Sequence, residues 1–150
     1  MATFNSTEYA NNVATPPAMN DSCDEHGRVR VNSFTYTQSG AGSSGDTVNL
    51  CSLPGGNLRI VGLVVTSSAF GASRTLKVGH TAYVNLAKTT VAANSTAFLA
   101  STSIATAVTT TTYVTQKLTS REGILVQALI EGGTLPDAAT LSGYILYAID

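Results

Sequence analysis

The stretch Leu58-Arg59-Ile60-Val61-Gly62-Leu63-Val64-Val65-Thr66-Ser67 decides the fold class. It follows the turn Leu53-Pro54-Gly55-Gly56-Asn57, in which proline presets φ and glycine supplies positive φ. Its apolar side chains fall in both alternating phases, Leu58, Ile60 and Val64 in one and Val61, Leu63 and Val65 in the other. A strand of that kind is expected to be covered on both sides, by two sheets or by one sheet and a partner subunit.

The neighbouring segments read as further strands separated by Gly, Pro, Asn and Ser clusters. Upstream, Val29 to Tyr36 forms a strand ended by the loop Ser39 to Gly45, and Asp46 to Leu53 forms a second. Downstream come Ser73 to Gly79, Tyr113 to Leu118, and Gly123 to Glu131 with Ile124, Val126, Ala128 and Ile130 inward. Gly132-Gly133-Thr134-Leu135-Pro136 makes another turn, and Thr140 to Ile149 closes the chain with Leu141, Ile145, Tyr147 and Ile149 in phase. Between them, Thr81 to Thr110 carries the weakest pattern. Ala92 to Leu99 has the residues for a short helix, although β-branched Thr and Val crowd it, and Thr109 to Thr112 reads as a loop. About eight short strands with almost no helix signal predict an all-β single domain, a jelly roll or β-sandwich.

Residues 1–27 differ from the rest, with Asn, Thr, Ser and Ala in excess, Pro16-Pro17, and no sustained period. They are expected to form an extended N-terminal arm ahead of a β domain over 28–150. The arm's apolar residues, Phe4, Tyr9, Val13 and Met19, are candidate contacts to a neighbouring subunit, because Pro-Pro lowers the entropy lost on docking. Val61, Leu63 and Val65, on the second face of the central strand, are candidate contacts within an oligomer.

Composition narrows the function. Charged residues make up 11% of the 150 residues, against about 25% in an ordinary domain. Thr, Ser, Asn and Ala replace them, so the surface is cheap to desolvate when another subunit covers it. The net charge of −1 and scattered basic residues leave no footprint for nucleic acid. No segment approaches the ~20 apolar residues of a membrane helix. The first eight residues have neither a basic nor an apolar run, so no secretory signal is expected. Cys23 and Cys51 are then expected as free thiols.

Chemistry is sparse. Cys23 and His26 lie three apart, but a closed metal site needs four ligands, so no metal is expected. His26 and His80 are the only imidazoles, and neither sits in a nucleophile signature; His80, after Val78-Gly79, is expected in a surface turn. There is no phosphate loop opening a helix. The sequons at Asn5, Asn20 and Asn94 are expected by chance in so Asn/Ser/Thr-rich a chain. Neither enzymatic activity nor a cofactor is expected.

The runs Arg28-Val-Arg-Val-Asn-Ser-Phe-Thr-Tyr-Thr and Asp46-Thr-Val-Asn-Leu-Cys-Ser-Leu-Pro-Gly-Gly, followed by Leu58-Arg-Ile-Val-Gly, resemble those of small structural proteins of tailed phages. So do Ala72-Ser-Arg-Thr-Leu-Lys-Val-Gly79, Gly132-Gly-Thr-Leu-Pro and Tyr144-Ile-Leu-Tyr. The resemblance spans residues 28–150, leaves the arm unmatched, and implies a capsid decoration, or cement, protein. Such proteins form homotrimers on the outer face of the phage head, over junctions of the major capsid protein, after synthesis in the host cytoplasm. A tail or fibre subunit shares these strand patterns. A carbohydrate-binding sandwich is a further alternative, for which Tyr83 and Tyr113 are the candidate sugar-stacking residues in a chain without Trp.

Overall fold

The computed structural model describes residues 15, 16 and 28–149. Phe4, Tyr9, Val13 and Met19 lie outside the described residues, as does nearly all of the expected arm. The strands are β1 Arg28–Thr37, β2 Thr47–Leu53, β3 Gly56–Ser67, β4 Thr75–His80, β5 Tyr83–Val84, β6 Thr90–Val91, β7 Asn94–Ser103, β8 Val108–Ser120, β9 Ile124–Glu131 and β10 Thr140–Ile149. They build two four-stranded sheets, β1-β10-β3-β8 and β2-β9-β4-β7, with β5-β6 as a separate hairpin.

The pairing has one simple origin. β1 pairs with β10, β2 with β9, β3 with β8 and β4 with β7, all antiparallel. The chain is therefore one long hairpin, rolled so that β10 also meets β3 and β9 also meets β4. That is the jelly-roll arrangement, which sets two sheets face to face.

The two arms of the hairpin stay bonded where they turn from one sheet to the other. Gly42 and Leu135 exchange backbone bonds of 3.0 and 3.1 Å, and Gly45 N–H donates to Ile130 O at 2.8 Å. At the next corner Phe70 N–H donates to Ile104 O at 2.9 Å, and Ile104 N–H to Arg74 O at 3.0 Å. Phe70, Ile104 and Leu135, each 1% exposed, plug these corners. The Gly132-Gly133 turn is also required here. Gly132 has φ +92°, and a Cβ there would stand 1.9 Å from the Ser73 carbonyl oxygen.

The core lies between the sheets and includes Leu58, Ile60, Leu63 and Val65 of β3 together with Ile124, Val126, Ala128 and Ile130 of β9. This corrects the two-sided burial expected for β3. Its register against β10 slips between Leu146 and Tyr147, where Val61 is the extra residue. A bulge of one residue exchanges the faces of everything beyond it. Leu58 and Ile60 before it and Leu63 and Val65 after it therefore all point inward, while Val61 is 36% exposed. One buried face holds both phases.

Two further expectations change. Thr109 to Thr112 is not a loop but the first half of β8, where Val108, Thr110, Thr112 and Val114 face inward in one phase and Thr109, Thr111 and Tyr113 outward. Ala92 to Leu99 has no helix; it leads into β7, as its β-branched neighbours favour.

Candidate interaction surface

The two sheets present different outer faces. On the second sheet, Lys77 and Glu131 form an ion pair at 2.6 Å, and Gln127 Nε2 donates to Asn49 Oδ1 at 2.8 Å. The outer face of the first sheet carries Arg59 and Lys117 at one end and is apolar and hydroxylic over the rest. Register aligns Val31 of β1, Leu146 of β10, Gly62 of β3 and Tyr113 of β8 in one row across it. The next row is Ser33, Tyr144, Val64 and Thr111, and the one after it Thr35, Ser142, Thr66 and Thr109. In that third row the Thr66 and Thr109 hydroxyls bond each other at 2.9 Å.

Exposure follows these rows. Val31 is 59% exposed, Tyr144 39% and Tyr113 88%. With Val61 they make an outward apolar band bordered by threonine and serine. Contiguous exposed apolar residues rimmed by polar ones mark surfaces that other proteins cover. Of the residues expected at an oligomer contact, Val61 joins this band, whereas Leu63 (1% exposed) and Val65 (3%) belong to this chain's own core. The reason is again the bulge. Val31, Tyr113 and Tyr144 escape sequence reasoning as a set, because only the pairing register brings them to one face.

β8 and β7 are the edge strands on the same side of the sandwich. An open groove of about 550 Å³ runs between them, lined by Asn94, Thr96, Phe98, Thr112, Tyr113 and Gln116 among others. Edge strands offer unpaired backbone groups to another chain, so band and groove together form one candidate surface on which Tyr113 is shared.

Little here resembles a reactive centre. His80 is not in a surface turn; it ends β4, is 4% exposed, and donates from Nδ1 to Thr81 O at 2.9 Å. Its ring meets Tyr83 edge-on at 5.2 Å and Phe98 at 5.9 Å, so the β5–β6 hairpin and β7 close over it. Burial raises the pKa of the Tyr83 hydroxyl, and burial also pushes the Cys51 thiol from 9.0 to about 11. Cys51 is thus a neutral, half-buried thiol rather than a nucleophile. Among the described residues no group of three or more His, Cys, Asp or Glu is placed to hold a metal ion, and no helix is long and apolar enough to cross a membrane. Tyr83 packs against His80 while Tyr113 projects from the first sheet, so the two tyrosines play separate parts.

No protein-family model matches the chain, and no curated protein matches it. Solved structures do. A chain of the cyanophage Pam1 capsid asymmetric unit aligns with a TM-score of 0.62 at 15% identity, over 83% of this chain and 86% of that one. The two chains share one fold, the jelly roll. The T13 particle of infectious bursal disease virus gives 0.52 at 21% identity, over 88% of this chain and 33% of that chain. VP2 of the same virus, in a subviral particle, gives 0.53 at 16% identity over 88% and 35%. The chain thus spans about a third of the bursal disease virus proteins, and nearly all of the Pam1 chain.

Proposed function

We propose that this chain is a non-enzymatic virion structural protein that decorates and cements the outer face of a phage head. In this reading it stands as a homotrimer over junctions between major capsid protein subunits, and the outer face of the first sheet makes the contact between copies. The observation that carries the reading is the reciprocal match to the Pam1 capsid chain. A partner matched over nearly its whole length is itself a small jelly roll, which suits an added part better than a large shell subunit.

The surface chemistry supports the same role. Cementing requires contacts to a lattice, where modest affinities repeated within one oligomer accumulate into firm attachment. The band of Val31, Val61, Tyr113 and Tyr144 supplies apolar area without ionic groups to desolvate. Each hydroxyl of its threonine and serine border can both donate and accept a hydrogen bond.

The reading is tested by adding the purified chain to heads that have been stripped of it, then sedimenting the particles. Saturable binding in multiples of three, with raised resistance of the heads to heat, is the expected result. Absence of co-sedimentation would overturn the assignment to the head.

A further inference from the structure

The groove between β7 and β8 is made by irregularities in both of its edge strands. In β8, Tyr113 pairs with Gly62 and Gln116 with Ile60, so Val114 and Thr115 together stand against Val61. In β7, Leu99 pairs with Val78 and Asn94 with His80, so the stretch from Ser95 to Phe98 stands against Gly79 alone. That second bulge depends on Gly79, where a Cβ would stand 1.8 Å from the Asn94 carbonyl oxygen. Bulges at sheet edges re-aim side chains and end regular pairing, and they concentrate beside active sites. Here the two irregular stretches supply most of the lining of a space of about 550 Å³.

The lining has a definite chemistry. Phe98 and Val114, both buried, give it an apolar floor, and the exposed Tyr113 stands at its rim. Asn94, Thr96, Thr115 and Gln116 add amides and hydroxyls, which both donate and accept hydrogen bonds. Asn94 is held in place, because its Oδ1 accepts from Thr96 N–H and from the Thr96 hydroxyl, each at 3.0 Å. That commits the oxygen and leaves the Nδ2 hydrogens as donors for a ligand. No Asp, Glu, Lys, Arg or His lines the groove.

These features select among ligands. An ionised ligand would lose hydration in the groove and meet no counter-charge there. An extended peptide adds to an edge through a regular backbone ladder, and both edges are irregular at this point. A neutral saccharide suits the lining, since its hydroxyls donate and accept as the amides and threonines do, and its C–H face covers an aromatic ring. The volume lies within the range of small-molecule sites, roughly 300–1,000 Å³. We propose that the β7–β8 groove binds a neutral saccharide, with Tyr113 stacked on a sugar ring and Asn94 and Gln116 bonded to its hydroxyls. This is a second activity beyond the structural role, and it holds wherever the chain sits on a virion. Because Tyr113 also belongs to the outward apolar band, bound saccharide opposes the association of copies through that residue.

Magnetic resonance titration of the isotope-labelled full-length chain tests the site, at a dilution where sedimentation shows single copies. The probes are oligomers of glucose, mannose, galactose and N-acetylglucosamine, with a sialylated oligosaccharide for comparison. At least one neutral oligomer is expected to bind saturably and to shift the amide signals of residues 94–98 and 112–116 rather than those of β2. Asn94→Asp keeps the oxygen that accepts from Thr96 but gives up both donors. That change and Tyr113→Ala are each expected to weaken binding at least tenfold. Lys77→Ala, on the outer face of the other sheet, is expected to leave binding unchanged, and circular dichroism establishes that each variant is folded. The proposal is overturned if none of the neutral oligomers binds, if the sialylated one binds more tightly, or if the shifts fall outside the groove. Binding that survives both Tyr113→Ala and Asn94→Asp overturns it as well.

Discussion

Ile60 and Leu63 stand three residues apart in β3, an odd spacing that should put them on opposite faces, yet both point into the same core at 0% and 1% exposure. Val61 is the cause. It is the extra residue against β10, and the phase of β3 reverses around it while β8 and β10 keep theirs. The bulge is what lets one strand bury Leu58, Ile60, Leu63 and Val65 together while Val61 stays outward.

Deleting Val61 should therefore do far more harm than truncating it. Deletion restores strict alternation and turns either Leu58 and Ile60 or Leu63 and Val65 outward. Each exposed side chain loses roughly 1.5–3 kcal/mol, so two consume much of the ~5–15 kcal/mol that holds a domain together. Val61→Ala leaves the bulge in place and is expected to cost less than about 1 kcal/mol. Urea unfolding of the two variants checks the contrast.

Ser120, fully buried, closes the β8–β9 turn from both sides. Its Oγ donates to Gly123 O at 2.7 Å and accepts from Gly123 N–H at 3.0 Å. Ser120→Ala strands that N–H and carbonyl, at a cost of about 1–3 kcal/mol. Gly123→Ala should be at least as damaging, since its φ is +117° and a Cβ would stand 2.6 Å from Leu53 O. Shifts in the urea midpoint at constant slope measure both.

The Cys51 thiol, raised to about 11 by burial, should react slowly while the domain is folded. At pH 8 about one thiol in a thousand is ionised at that pKa, against roughly a quarter for an ordinary cysteine. Alkylation of Cys51 is expected to slow on the order of a hundredfold in the native chain and to recover in denaturant. The same shift has a pH consequence. Because the folded pKa lies above the unfolded one, its stabilising contribution is full below pH 9.0 and is lost as pH rises toward about 11. Cys51→Ala should flatten that alkaline decline in the unfolding midpoint.

How much of this was legible in the sequence depended on whether alternation was visible. β9 reads directly because Ile124, Val126, Ala128 and Ile130 alternate without interruption, and β10 reads with the bounds it has. The first half of β8 hides because Thr109 to Thr112 offers four identical side chains and no contrast between faces. The reversal at Val61 hides because a bulge is set by pairing with β10, some eighty residues away in sequence. His80 looks like a turn residue after Val78-Gly79, and only Tyr83 and Phe98, brought over it by the fold, bury it. The outward band needed the register of four strands, which no local pattern carries.

In the proposed trimer, Tyr113 would separate folding from association. At 88% exposure it contributes little to the domain, so Tyr113→Ala should shift stability by no more than about 0.5 kcal/mol. An exposed aromatic at the centre of an interface is the kind of residue on which binding depends. Tyr113→Ala and Val31→Lys are each expected to leave thermal unfolding of the isolated chain almost unchanged and to weaken self-association at least tenfold in sedimentation velocity.

The central claim is position on the virion, and cryo-electron microscopy of the particles that carry this chain tests it most directly. The account predicts trimers of a jelly roll on the outer face of an icosahedral head, with Val31, Tyr113 and Tyr144 at the contact between copies. Density confined to the tail, or jelly rolls meeting through the Lys77–Glu131 face of the second sheet, would contradict it.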